Sequence, residues 1–204
     1  EHVALTEGDV VEIENMALEV LATPGHTPEH LSYVVTDRAR GGSPIGVFVG
    51  DVLFVGDVGR PDLFPGMAEE LAGRLYDSLH DKLLRLPDYC EVYPAHGAGS
   101  LCGRSMGAKW LTTVGYERRH NSALQLGREE FVRSLTTDMP PAPAHSARCS
   151  DINRDGPTPL ADLPAPIEMQ PEDLRSRLSE AGVAVVDVRR YTAFASLHIP
   201  RAWH

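Results

Sequence analysis

The sequence has little that would tie it to a membrane, a nucleic acid or an oxidising compartment. No apolar run nears the roughly 18 residues needed to cross a bilayer. Cysteine is scarce: Cys90, Cys102 and Cys149 are odd in number and irregular in spacing, which is not a disulfide framework. That pattern fits a reducing compartment, so a cytoplasmic protein is expected. Basic residues are in deficit, 19 Lys and Arg against 29 Asp and Glu, for a net charge of −10. A nucleic-acid partner needs a basic stripe, and none is present. What remains is a chain of 204 residues with 42% hydrophobic and 24% charged residues, the composition of a soluble globular protein. It opens at Glu1 in strand-like sequence and stops at "HIPRAWH". Both ends read as cuts through domains, so a piece of a longer protein is expected.

Strand-like segments fill residues 9 to 58. "VVEIEN" alternates, "ALEVLAT" and "LSYVVT" follow, and "IGVFVGDVLFVGD" holds two apolar runs, Val47 to Val49 and Val52 to Val55. The period then changes. Met67, Leu71, Leu75, Leu79 and Leu83 recur every four residues and predict an amphipathic helix over 67–86, with Glu69 and Glu70 at its start and Lys82 and Arg85 at its end. "CEVYPA" is a further strand, and residues 104–135 read as helical pieces. Seven prolines then crowd residues 136–166, which predicts a linker. Beyond it, "PEDLRSRLSEAG" has a proline start and a glycine stop, as helices do. "VAVVDVR" reads as a buried strand, and "RYTAFAS" as the start of another helix or turn. The predicted division is therefore 1–135, a linker over 136–166, and a second unit from 167 to 204.

Three residues that bind metals stand at strand ends beside glycine or proline: His26, Asp51 and His96. In layered α/β proteins such edges are where sites are assembled. Two imidazoles and a carboxylate suit Zn(II), Fe(II) or Mn(II). "TPGHTPEH" (23–30) carries a second histidine, His30, four residues on. Helical spacing would put both rings on one face, but Pro24, Gly25 and Pro28 make this a turn, in which one histidine at most need face a site. "GAGSLCG" lacks the spacing of a dinucleotide loop and is rejected as one. Cys90 reads as core.

"TPGHTPEH", "FVGDVLFVGDVGRPDL" and "YPAHGAGS", in that order, resemble the metallo-β-lactamase superfamily, and most of all its glyoxalase II and persulfide dioxygenase branch. "TTVGYERRHNSAL" resembles the segment that follows the last metal histidine there. "VVDVRRYTAFASLHIPRAWH" resembles the first half of a rhodanese domain, with Leu197 and Arg201 in place of the usual glycines. The fold implied is the C-terminal half of an αββα sandwich followed by an incomplete rhodanese-like α/β unit. The resemblance makes His26 and Asp51 metal ligands, with Asp51 also the catalytic carboxylate. His96 ligates a second metal in hydrolases and is left uncoordinated in the mononuclear iron dioxygenases. His30 falls where the family uses no ligand. Asp57, Arg60 and Asp62 form a charged cluster. The resemblance puts Arg60 and Asp62 near the family's site as substrate-binding residues, with an ordinary salt-bridged turn as the alternative. Cys102, close to His96, is a candidate persulfide carrier on the substrate side, with a buried inert thiol as the plainer alternative. Asp187 with Arg189, and His198, read as structural parts of the rhodanese unit.

The implied activity is oxidation of a glutathione-type persulfide to sulfite with Fe(II), coupled to rhodanese sulfur transfer. The alternatives are a two-Zn(II) thioester hydrolase and a non-catalytic binding module. The implied partner is a small-molecule thiol or persulfide, with no nucleic acid and no membrane; a homo-oligomer is left open. The family's His-x-His-x-Asp-His cluster does not occur in the 204 residues, so this stretch alone is expected to bind metal poorly and to be inactive.

Overall fold

The computed structural model describes residues 2–98, 100, 102–103, 106–137 and 145–204, with the side chains of residues 146 and 147 left aside. The chain divides into two compact units, Glu1–Pro141 and Ala142–His204.

The first unit is built on a six-stranded sheet. Strands β1 (Val10–Ile13), β2 (Met16–Ala22), β3 (Leu31–Asp37) and β4 (Pro44–Gly50) pair in sequence order as antiparallel neighbours. A small hairpin follows, β5 (Leu53–Phe54) with β6 (Asp57–Val58), closed at Gly56 with φ +79°. Helix α1 (Ala68–Asp81) then carries the chain across to β7 (Glu91–Pro94), which lies parallel to β4, and β8 (Thr112–Thr113) adds to the far edge. Helices α2 (Val114–His120) and α3 (Arg128–Thr136) complete the unit.

Opposed residues in neighbouring strands share a face. Val34, Val47 and Val92 are paired across β3, β4 and β7. They form one core with Val49, with Leu75 and Leu79 of α1, and with Phe131 and Leu135 of α3. The four-residue leucine repeat works as read: Leu71, Leu75, Leu79 and Leu83 are each at most 1% exposed. The helix itself stops at Asp81, and a 3₁₀ turn takes over at Leu83–Arg85. Lys82 is the C-cap residue of α1, with its backbone N–H on the Ser78 carbonyl. Its ammonium reaches Glu7 and the Ala22 carbonyl, both at 2.7 Å, and pins the end of β2. The second apolar run, Val52 to Val55, yields only the two residues of β5, because Gly56 turns the chain back at once.

In the second unit, α4 (Ser146–Asp155) and a 3₁₀ turn at Leu160–Asp162 fall inside the proline-rich stretch. Helices α5 (Pro171–Arg177) and α6 (Tyr191–Ser196) follow. The "VAVVDVR" segment departs from the sequence reading. It forms a single bridge, Val186 with Trp203, and leaves Val188 91% exposed. A strand needs a ladder of neighbours to bury its backbone and both faces, and the described residues offer one partner only.

Among the described residues no helix is long and apolar enough to cross a membrane.

Candidate metal centre

The turn between β2 and β3 is fixed from both sides. Inside it, Thr23 N–H donates to the His30 carbonyl at 2.8 Å, and Gly25 N–H to the Thr27 carbonyl at 3.0 Å. Outside it, the Ser78 hydroxyl of α1 donates to the Pro24 carbonyl at 2.8 Å. Gly25 sits at φ +155°, and a Cβ there would lie 2.5 Å from the Leu75 Cβ, so only glycine lets the turn close on the helix. The buried His26 is thereby aimed at the ends of β4 and β7. Its Nδ1 lies 2.9 Å from the Arg60 carbonyl oxygen. A carbonyl only accepts, so Nδ1 carries the proton and Nε2 keeps its lone pair. A metal-ligating histidine has its ring oriented in this way.

Asp51 follows β4 and His96 follows β7. Because these strands are parallel neighbours, both residues emerge at the same sheet edge, and Ala95 N–H donates to the Gly50 carbonyl at 2.9 Å to tie the two ends together. His96 Nε2 lies 3.0 Å from Asp51 Oδ1. The contact lacks hydrogen-bond geometry, and that buried oxygen has no donor among the described residues. Gly59 crosses directly beneath: a Cβ there would fall 1.8 Å from the Asp51 carbonyl oxygen and 3.4 Å from His26 Nδ1.

Cys102 completes the cluster. Ligating atoms of His26, Asp51 and Cys102 all lie within 4.8 Å of one another. Its carbonyl accepts the Arg60 N–H at 3.1 Å. Cys102 itself lies in a turn. Burial pushes the thiol up, the Asp51 charge adds to this, and the Ser100 hydroxyl works against it.

Arg60 and Asp62 form a two-pronged ion pair, both contacts at 2.6 Å, with Arg60 8% exposed. The pairing holds the Asp62 carboxyl below its ordinary range. What Arg60 brings to the cluster is its backbone, with the carbonyl on His26 and the N–H on Cys102.

A bare cluster of lone pairs and one carboxylate oxygen without a donor suits a cation. The donor set, imidazole, carboxylate and thiol, fits a first-row transition metal.

Three supporting residues escaped the sequence reading. His30 touches Asp51 through its backbone. Glu117 and Asn121 of the α2 region are fully buried and grip the β5–β6 hairpin: Glu117 Oε2 accepts from Gly56 N–H at 3.0 Å and from the Asn121 amide at 2.9 Å, and the same amide donates to the Asp57 carbonyl at 3.0 Å. An i, i+4 Glu–Asn pair inside a helical stretch looks like ordinary surface, and only the tertiary fold makes it a clamp.

No family profile matches the chain. It is 36% identical over 131 residues to the mitochondrial persulfide dioxygenase of Bos taurus, covering 64% of this chain and 44% of that one. It is 32% identical over 118 residues to the hydroxyacylglutathione hydrolase GloC of Haemophilus influenzae, covering 58% and 45%. A metallo-β-lactamase structure from Staphylococcus aureus superposes with a TM-score of 0.76 at 35% identity, over 98% of this chain and 55% of that one. Its relatives are metallo-β-lactamase superfamily proteins. The chain spans about half the length of the curated relatives it matches. In this fold, His26, Asp51, His96 and Cys102 all lie at one edge of the sheet, and Arg60 and Asp62 lie in the loop beside it.

Proposed function

We propose that the protein is a persulfide dioxygenase of the metallo-β-lactamase superfamily, with His26 and Asp51 as ligands to Fe(II). The observation that carries this is the gathering of ligand atoms of His26, Asp51 and Cys102 within 4.8 Å of one another, with no hydrogen-bond donor on the buried Asp51 Oδ1 among the described residues. The likeness to the bovine persulfide dioxygenase supports the choice of reaction. When bound, Fe(II) supplies the one-electron chemistry by which dioxygen reacts with a sulfane sulfur. In the overall reaction a persulfide RSSH, O2 and water give RSH, sulfite and two protons; the S–S bond breaks, and the outer sulfur is oxidised.

The chain's own residues do the rest. The Arg60 carbonyl holds the His26 tautomer. Asp51 brings the negative charge that makes the site cation-selective. His96, 43% exposed, stands at the open side of the site. Cys102 lines the substrate side. The substrate class is a low-molecular-weight thiol persulfide, and the second unit, with Asp187 paired to Arg189 at 2.6 Å, serves sulfur transfer.

A second reading, a two-zinc thioester hydrolase with His96 as a true ligand, is favoured by the 3.0 Å His96–Asp51 approach and by the likeness to GloC. Oxygen uptake by the iron-loaded full-length protein with glutathione persulfide decides between them. Rapid uptake with sulfite formed, lost in His26→Ala, is expected. Uptake no greater than a metal-free control, with thioester hydrolysis by the zinc form, would overturn the dioxygenase.

A further inference from the structure

His30 is not within the cluster of ligating atoms, yet its ring bridges the turn that carries His26 and the strand end that carries Asp51. Its Nε2 accepts the Asp51 backbone N–H at 3.3 Å, and its Nδ1 lies 2.9 Å from the Thr23 hydroxyl oxygen. A peptide N–H only donates, so Nε2 holds a lone pair and Nδ1 carries the proton. Nδ1 therefore donates to Thr23. The Thr23 hydroxyl, fully buried, also lies within hydrogen-bond distance of the Ser32 hydroxyl, 2.8 Å away, so a chain of hydrogen bonds links the Asp51 peptide through the imidazole and Thr23 to Ser32.

Gly50 explains the close approach. It sits at φ +52°, and a Cβ there would fall 2.5 Å from His30 Nε2. The absence of a side chain at Gly50 is what lets the imidazole reach the next peptide.

We infer that His30 is a positioning residue: its Nε2 fixes the Asp51 peptide, and so the direction of the Asp51 carboxylate toward His26. The inference rests on the proposed metal centre only for its consequence, since the hydrogen-bond chain exists without metal. Space-filling alone would ask for a ring of this size, not for two polar contacts of opposite sense on its two nitrogens.

The test uses the full-length protein and three variants: Thr23→Val, His30→Gln and His30→Phe. Two readouts are needed. Hydrogen exchange at the Asp51 amide, with ¹⁵N shifts of the His30 ring, is read without metal. Co(II) affinity and the Co(II) absorption spectrum report the centre. Thr23→Val and His30→Phe are expected to speed Asp51 amide exchange by about tenfold or more and to weaken Co(II) by about 10–100-fold. His30→Gln, whose side-chain oxygen can accept the same N–H, is expected to recover most of both. Should His30→Phe fail to fold, Thr23→Val, which keeps the shape of the strand, carries the comparison. Wild-type exchange and wild-type Co(II) affinity in Thr23→Val would overturn the inference. So would loss of Co(II) in His30→Gln with Asp51 exchange unchanged, because His30 would then be a ligand itself. If the wild type binds no Co(II), the metal-centre reading fails, and Asp51 exchange in Thr23→Val still decides the positioning role.

Discussion

The two units of this chain have similarly apolar sequences and opposite fates. In the first, valines of β3, β4 and β7 meet leucines of α1, and Val47, Val49, Leu75 and Leu79 are wholly buried. In the second, no described residue is buried, and Val188, Leu197 and Trp203 are each more than 70% exposed. An apolar run is therefore a demand for neighbours, and whether it becomes a strand depends on whether the chain supplies them. The candidate centre lies in the unit where that demand is met. A site that must hold several side chains to within a fraction of an ångström needs packed elements beneath it.

The contrast can be broken most sharply by removing matched methyl groups. Leu79→Ala should cost about 2–5 kcal/mol by urea unfolding of the first unit, whereas Val188→Ala should shift nothing beyond about 0.5 kcal/mol. Comparable losses in both would mean that the second unit hides a core of its own. Glu117→Ala comes next. It leaves the Gly56 N–H without its buried acceptor and removes one from Asn121, so a loss of about 1–3 kcal/mol is expected, together with faster exchange at Gly56. Gly25→Ala should destabilise by about 1–3 kcal/mol through its clash with Leu75. It should also lower metal affinity, because the turn that aims His26 is pushed off α1. An intact centre in the Gly25→Ala variant would show that α1 does not set the turn.

The smallest effect concerns pH. Asp77 of α1 is bonded by Arg128 of α3 at 2.9 and 3.0 Å, which holds its carboxyl below the ordinary value. A depressed carboxyl stabilises the fold above its unfolded pKa, near 3.9, and that contribution disappears as pH falls through the lower native value. Acid unfolding of Arg128→Ala should lose this part of its slope and little else, both side chains being about half exposed.

Much of the first unit was legible because its signals are periodic. Leucine every fourth residue announced α1, alternation announced β1, and an apolar run and a β-branched, aromatic stretch announced β2 and β3. The end of α1 was placed too late because Lys82 and Arg85 suit the last turn of a helix, whereas the helix stops at Asp81 and the Lys82 ammonium binds Glu7 and the Ala22 carbonyl, some sixty or more residues earlier. Of the site, the residues that carry chemistry stood out by type and by their places at strand ends. The supports did not. His30 resembled a spare histidine, although Thr23 and Ser32, two small polar residues at the inner ends of apolar strands, were the available sign of a polar chain threading the core. The hold of Glu117 and Asn121 on Gly56 and Asp57 had no local signature at all.

Asp51 and His96 stand just past the ends of two adjacent parallel strands, β4 and β7. Their separation is thus set by the spacing between strands, about 4.8 Å in any sheet, and not by the whim of two loops. Such a gap works as a ruler. Heating, crowding or mutation elsewhere can shift the sheet as a whole, but these two cannot drift apart until the ladder between β4 and β7 opens. His26 arrives from the turn between β2 and β3, so the bite of this site is adjusted on that third jaw.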